Sequence, residues 1–176
     1  MSYEKLRCLK PFVWLLAFSL VGCATQKSFN KPFSNQSGAK VVPSLCHYKA
    51  GPEEMLLFYL KDTVVEVTLR SDQIDETLLV FTRSKTSHAT ISDDLLVSHD
   101  GKKAKILLTK YSKSSLFSPN DSNDIYLSSV TIRVAGKYQD LFTLSGLTIT
   151  SDGVTYLVKD IVFEKVSDVI LTPWNC

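Results

Sequence analysis

From Val41 onward, apolar residues recur mostly at every second position or in short unbroken runs rich in Val, Ile, Thr, Leu and Phe. That spacing matches a pleated strand, whose successive side chains point to opposite faces, and not the 3.6-residue turn of a helix. Branched and aromatic side chains favour the same state. The pattern predicts strands over Met55–Leu60, Val64–Arg70, Thr77–Arg83, Leu95–His99 and Lys105–Tyr111. It continues over Ile125–Val134, Leu141–Thr150, Thr155–Val158 and Ile161–Val166. No stretch carries a long apolar stripe at helical spacing, and Ser92–Leu96 is at most one turn of helix. Asp100-Gly101 and Asp152-Gly153 each separate two apolar runs, a short-range signal for a hairpin. The expectation is an all-β fold, a single-domain antiparallel β-sandwich, with a small β-barrel as the alternative. The sandwich is preferred because a barrel built for a ligand wants longer, more evenly spaced strands.

The N-terminus has a different character. Lys5, Arg7 and Lys10 stand against one acid, Glu4, and precede the apolar run Pro11–Val21. As a helix, about eleven residues reach roughly 16 Å, against a hydrocarbon core of about 30 Å, so the run is too short to span comfortably. A basic stretch followed by a short apolar one is the anatomy of an export signal. Its end, Leu20-Val21-Gly22-Cys23, resembles the lipobox of bacterial lipoprotein precursors. The resemblance covers four residues and implies diacylglycerol on Cys23, cleavage between Gly22 and Cys23, and acylation of the new amino terminus. Two or three acyl chains hold a protein stably on a membrane, whereas one binds reversibly. By the same resemblance, Ala24 in place of Asp after the cysteine favours the outer membrane of a two-membrane organism. The competing reading is an ordinary secretory signal that ends near a cysteine. The expected organisation is a signal peptide over 1–22, a lipidated N-terminus and flexible tether over 23–40, and a β-rich globular domain over 41–176. Ala24–Lys40 is rich in Ser, Asn, Gln and Lys without a sustained apolar period, hence the tether. Phe29 and Phe33 interrupt it.

Processing alters both charge and cysteine content. The precursor has 20 Lys+Arg and 18 Asp+Glu. Loss of Lys5, Arg7, Lys10 and Glu4 leaves seventeen of each. A mature chain of zero net charge lacks the basic stripe of a nucleic-acid binder. With Cys8 removed and Cys23 lipidated, Cys46 and Cys176 remain, and in an oxidising compartment such a pair tends to form a disulfide. Closing a loop of more than 100 residues is worth about 4.7 kcal/mol in the chain-entropy model. Two free thiols or a metal site are the alternatives, but only His47 lies near Cys46 and no Cys-x-x-Cys occurs.

No catalytic constellation stands out. The serine-hydrolase signature Gly-x-Ser-x-Gly is absent, and in Leu144-Ser145-Gly146 the serine reads as a strand residue and the glycine as a bulge or close packing point. His47, His88 and His99 are scattered. Ser118–Asp124 offers oxygen ligands, but the spacing is not that of an EF-hand, and such loops usually serve turns. No metal or other cofactor is implied. Ser112–Asp124 reads as the longest loop after the tether, and its Leu116 and Phe117 are candidate partner contacts, the competing role being a plug over the core. Acidic Ser71–Glu76 and basic Lys102–Lys105 read as solvated loops or edge-strand faces. The leading expectation is a non-catalytic lipoprotein of the cell envelope, bound to the membrane through its lipid and to an envelope protein through its surface. A binder of a small lipophilic ligand would instead need a closed apolar cavity of about 300 Å³ or more. An envelope hydrolase would need a histidine bonded to a serine or carboxylate in a cleft.

Overall fold

The computed structural model describes residues 24–43, 54–116 and 124–171. Among these residues no helix occurs. Strands β1 (Ala24–Ser34), β2 (Lys40–Pro43), β3 (Glu54–Leu60), β4 (Thr63–Ser71) and β5 (Glu76–Ser84) come first. Short strands β6 (Thr90–Ile91), β7 (Leu96–His99) and β8 (Lys102–Lys103) lead into β9 (Ile106–Leu116) and β10 (Ile125–Val134). The last four are β11 (Leu141–Ser145), β12 (Thr148–Ser151), β13 (Val154–Leu157) and β14 (Ile161–Leu171). They form three antiparallel sheets, ordered β2-β3-β4-β5-β10-β9, β1-β14-β11-β7-β8 and β13-β12-β6. The sheets pack on one another and none closes into a barrel, so the fold is the expected β-sandwich.

The chain divides into two compact units, Phe29–Val166 and a smaller one made of Met1–Ser28 with Ser167–Cys176. In the smaller unit the Ser28 and Ser167 hydroxyls lie 3.0 Å apart. The larger unit holds the core. Alternation decides which residues enter it: on β5, Leu78, Val80, Thr82 and Ser84 are buried while the residues between them are not. Leu56, Phe58, Val65, Val67, Val130 and Ile132 join them from neighbouring strands. Opposite them, Phe142 and Phe163 pack edge to face at 6.0 Å between centroids. Such aromatic pairs add about 0.5–1.5 kcal/mol beyond the area they bury.

Three details depart from the sequence expectation. First, Ala24–Ser34, expected as part of a tether, is strand β1, seated beside β14. Its polar composition hides the strand, because an edge position is supplied with hydrogen bonds by its neighbour and needs little apolar alternation of its own. Second, Asp100-Gly101 does turn a hairpin, both residues having positive φ (49° and 78°), but the partner of β7 is the two-residue β8. Ile106 onward crosses instead to the six-stranded sheet and pairs with β10. Third, Leu141–Thr150 is broken at Gly146, where φ is +74° and a Cβ would stand 2.7 Å from the carbonyl oxygen of Asp94. Only glycine fits there, and β12 leaves for a different sheet. The Asp152-Gly153 hairpin forms as expected, with φ of 51° and 76°.

Candidate functional site

The longest exposed element of the larger unit is β9. It is the outermost strand of its sheet, and among the described residues its one ladder partner is β10. Every residue from Leu107 to Leu116 is exposed, including Leu107, Leu108, Tyr111 and Leu116. Such an edge carries a row of backbone N–H and C=O groups not engaged by a second strand, which is a template for strand addition. Lys110 and Lys113 are the edge charges that natural sheets use to discourage indiscriminate pairing.

Leu116 therefore sits elsewhere than expected. It ends a strand, opposite Ile125, and the loop read from Ser112 is strand as far as Leu116. Ser112–Ser115 has little strand propensity of its own, but β10 supplies its backbone partners. Phe117 and Ser118–Asn123, the latter weighed above for calcium, lie outside the described residues, as do Cys46, His47 and Cys176. Among the described residues no three of His, Cys, Asp and Glu come close enough to hold a metal ion.

Beside β9, a pocket of about 240 Å³ is lined by Ala89, Ile91, Asp93, Tyr111, Lys113 and Ser128. The Tyr111 hydroxyl donates to the Ser92 carbonyl oxygen at 3.3 Å. Desolvation and the neighbouring Asp93 carboxylate push its phenol up to about 12. A depression of about 600 Å³ near Leu157 and Lys159 is open to solvent. Neither is the closed apolar cavity that a lipophilic ligand would need.

The hydrolase geometry is also missing from the two described histidines. His88 Nδ1 lies 3.1 Å from the Leu127 carbonyl oxygen, and its ring meets Tyr126 edge to face. His99 Nε2 is buried without a hydrogen-bond partner, and the ring lies 5.4 Å from Phe142 and 6.2 Å from Tyr138. Burial lowers its pKa, against the opposing field of Asp100.

A polar cluster that sequence reading missed is buried in the larger unit. Glu76, whose acidic neighbourhood reads as a solvated loop or edge-strand face, is fully buried at the start of β5. Neither carboxyl oxygen has a partner at hydrogen-bonding geometry. Burial raises its pKa, while the Ser71 hydroxyl and the Lys165 and Lys137 charges oppose the rise and Asp72 adds to it. Tyr138, also fully buried, donates its hydroxyl to Asn30 Oδ1. Asn30 Nδ2 in turn donates to the Leu69 carbonyl oxygen at 3.0 Å. Lys165 Nζ stands 5.6 Å from the Tyr138 ring centroid. Asp75, from the same expected loop, is buried as well and binds Arg133 at 2.8 Å. The available signal was parity, since Glu76 shares the two-residue phase of Leu78 and Val80. An acidic neighbourhood concealed it. The chain matches no protein-family model, and comparison with curated proteins finds no match.

Proposed function

We propose that this chain is a non-catalytic lipoprotein of the bacterial cell envelope, anchored through Cys23, that binds an envelope protein by strand addition along the free edge of β9. The observation that carries the binding role is the edge itself: eleven residues long, exposed from Leu107 to Leu116, and paired on one side among the described residues. Main-chain hydrogen bonds would supply affinity, and the exposed Leu107, Leu108 and Tyr111 side chains would select the partner strand. The lipobox-like Leu20-Val21-Gly22-Cys23 supports the anchor, and Ala24 supports an outer-membrane location. A disulfide between Cys46 and Cys176 belongs to the same reading, because both thiols would then face an oxidising compartment.

Two measurements test this reading. Mass spectrometry of the mature chain should find a lipid-modified Cys23 peptide and no free thiol at Cys46 or Cys176. A photo-crosslinker placed at Lys110 in living cells should capture a discrete envelope protein. That product should be lost with Leu108→Asp and Leu116→Asp while the chain stays folded. No product, or one that persists unchanged in both variants, would reject strand addition at β9.

A further inference from the structure

We propose that the outer face of the six-stranded sheet is the surface with which the larger unit rests on an anionic lipid membrane, an inference that rests on the Cys23 anchor proposed above. The register defines this face. One row across the sheet runs Lys40, Leu57, Glu66, Phe81, Ser129 and Ser112. The next runs Tyr59, Val64, Arg83, Leu127 and Ser114. On β3, β4, β5 and β10 the alternate positions fill the core, so the residues of those strands in both rows face away from it, and the register sets Lys40, Ser112 and Ser114 beside them.

A sheet with one solvated face normally carries polar residues there. This one carries half-buried Leu57, Val64, Leu79, Phe81 and Leu127 beside exposed Tyr59. Tyr59 is 58% exposed, at the end of the patch nearest the β3–β4 turn. Around this apolar centre stand Lys40, Arg70, Arg83, Lys110 and Arg133, while the only acid in the same rows is Glu66. Glu66 is joined to Arg83 at 3.3 Å, and Asp75 reaches Arg133 from the β4–β5 turn. Beyond these two pairs, Lys40 and Lys110 leave the face a positive excess.

Apolar side chains ringed by cations match a headgroup layer, where rings and aliphatic groups enter the acyl boundary and long basic side chains reach anionic phosphates. A second copy of the same face would meet it with like charge, which disfavours a face-to-face dimer. The anchor restricts the alternatives further. Six peptide steps separate Cys23 from Phe29, where the larger unit begins. Even fully extended, they reach only about 20 Å. Attached at Cys23, the unit stays at the membrane surface, and the apolar, basic face is the one with matching chemistry.

Quenching of single tryptophans by brominated lipid tests this. Full-length chain carrying Tyr59→Trp or Leu157→Trp, processed in cells and purified from membranes, is placed in vesicles of three parts phosphatidylglycerol to seven of phosphatidylcholine. Leu157 is 72% exposed and lies outside this sheet, and the unsubstituted chain corrects for native tryptophan. Leu108→Trp, on the outer face of β9, serves as a second reporter. The expected result is several-fold stronger quenching at positions 59 and 108 than at 157, reduced to the level of 157 by Arg83→Glu with Lys110→Glu. Equal quenching at all three positions, stronger quenching at 157, or no response to charge reversal overturns the proposal. So does a face unquenched in vesicles but shielded by a protein in cells. If Cys23 proves unmodified, the anchor fails separately. The same chains added to these vesicles at low salt then decide the face by the same ratio.

Discussion

Glu76→Gln removes the ionisable group from the buried cluster and leaves its shape. Burial raises the pKa of Glu76 in the folded chain above its ordinary 4.5, so the folded state holds a proton that the unfolded chain releases. The sign follows from linkage: the contribution of this residue to stability is complete below pH 4.5 and is lost as pH rises through the folded pKa. One proton sets the steepest slope, about 1.4 kcal/mol per pH unit. His99 works the other way. Its lowered pKa penalises charging, so stability falls as pH drops below 6.5. Asp100, held at about 2 by the backbone N–H groups of Gln139, Leu141 and Asp140, contributes stability above its ordinary 3.8 that is lost as pH falls toward 2. Both effects are shared by wild type and variant and cancel in their difference. Urea unfolding from pH 4 to 8 should therefore give a stability difference between Glu76→Gln and wild type that grows in favour of the variant as pH rises above 4.5. Glu76→Leu, which also removes a buried polar group lacking a partner, should be the more stable chain at pH 7 by about 1–3 kcal/mol. A difference that is flat with pH, or one that favours wild type more as pH rises, would show that the carboxyl is paired or solvated and would refute the reasoning.

Gly146→Ala places a Cβ 2.7 Å from the Asp94 carbonyl oxygen at φ +74°. The left-handed backbone alone costs about 1–2 kcal/mol, so thermal unfolding should shift down by several degrees, whereas Gly153→Ala, with open space around it, should cost less. Asp100→Ala removes the carboxylate that accepts from three successive backbone N–H groups at 2.8–2.9 Å, and amide exchange at Gln139–Leu141 should accelerate. Unchanged protection there would show that the β7–β8 turn does not hold this segment. Phe142→Ala, at the centre of the aromatic packing, should cost about 3–5 kcal/mol, read by urea unfolding.

Much of the strand layout was legible in the sequence because burial on one face writes a two-residue period into it. Met55–Leu60, Val64–Arg70, Thr77–Arg83 and Ile125–Val134 all form within a residue or so of the expected limits. The two Asp-Gly turns were legible because their backbone conformation restricts composition. Leu116, which reads in the sequence as a loop residue, either a candidate contact or a plug over the core, stands exposed at the end of β9.

What the tertiary structure alone decided is pairing. Whether a run joins its neighbour or crosses to another sheet depends on long-range packing, and a local period carries no information about the partner. Hence β7 turns into the short β8 while β9 crosses over to lie beside β10, and polar Ala24–Ser34 becomes a strand because β14 is there to receive it. Pairing likewise set Glu76 in phase with Leu78 and Val80, burying a carboxyl that composition assigned to solvent. The apolar residues of the sandwich were readable one strand at a time. The basic, apolar outer face exists only once six strands lie side by side in register.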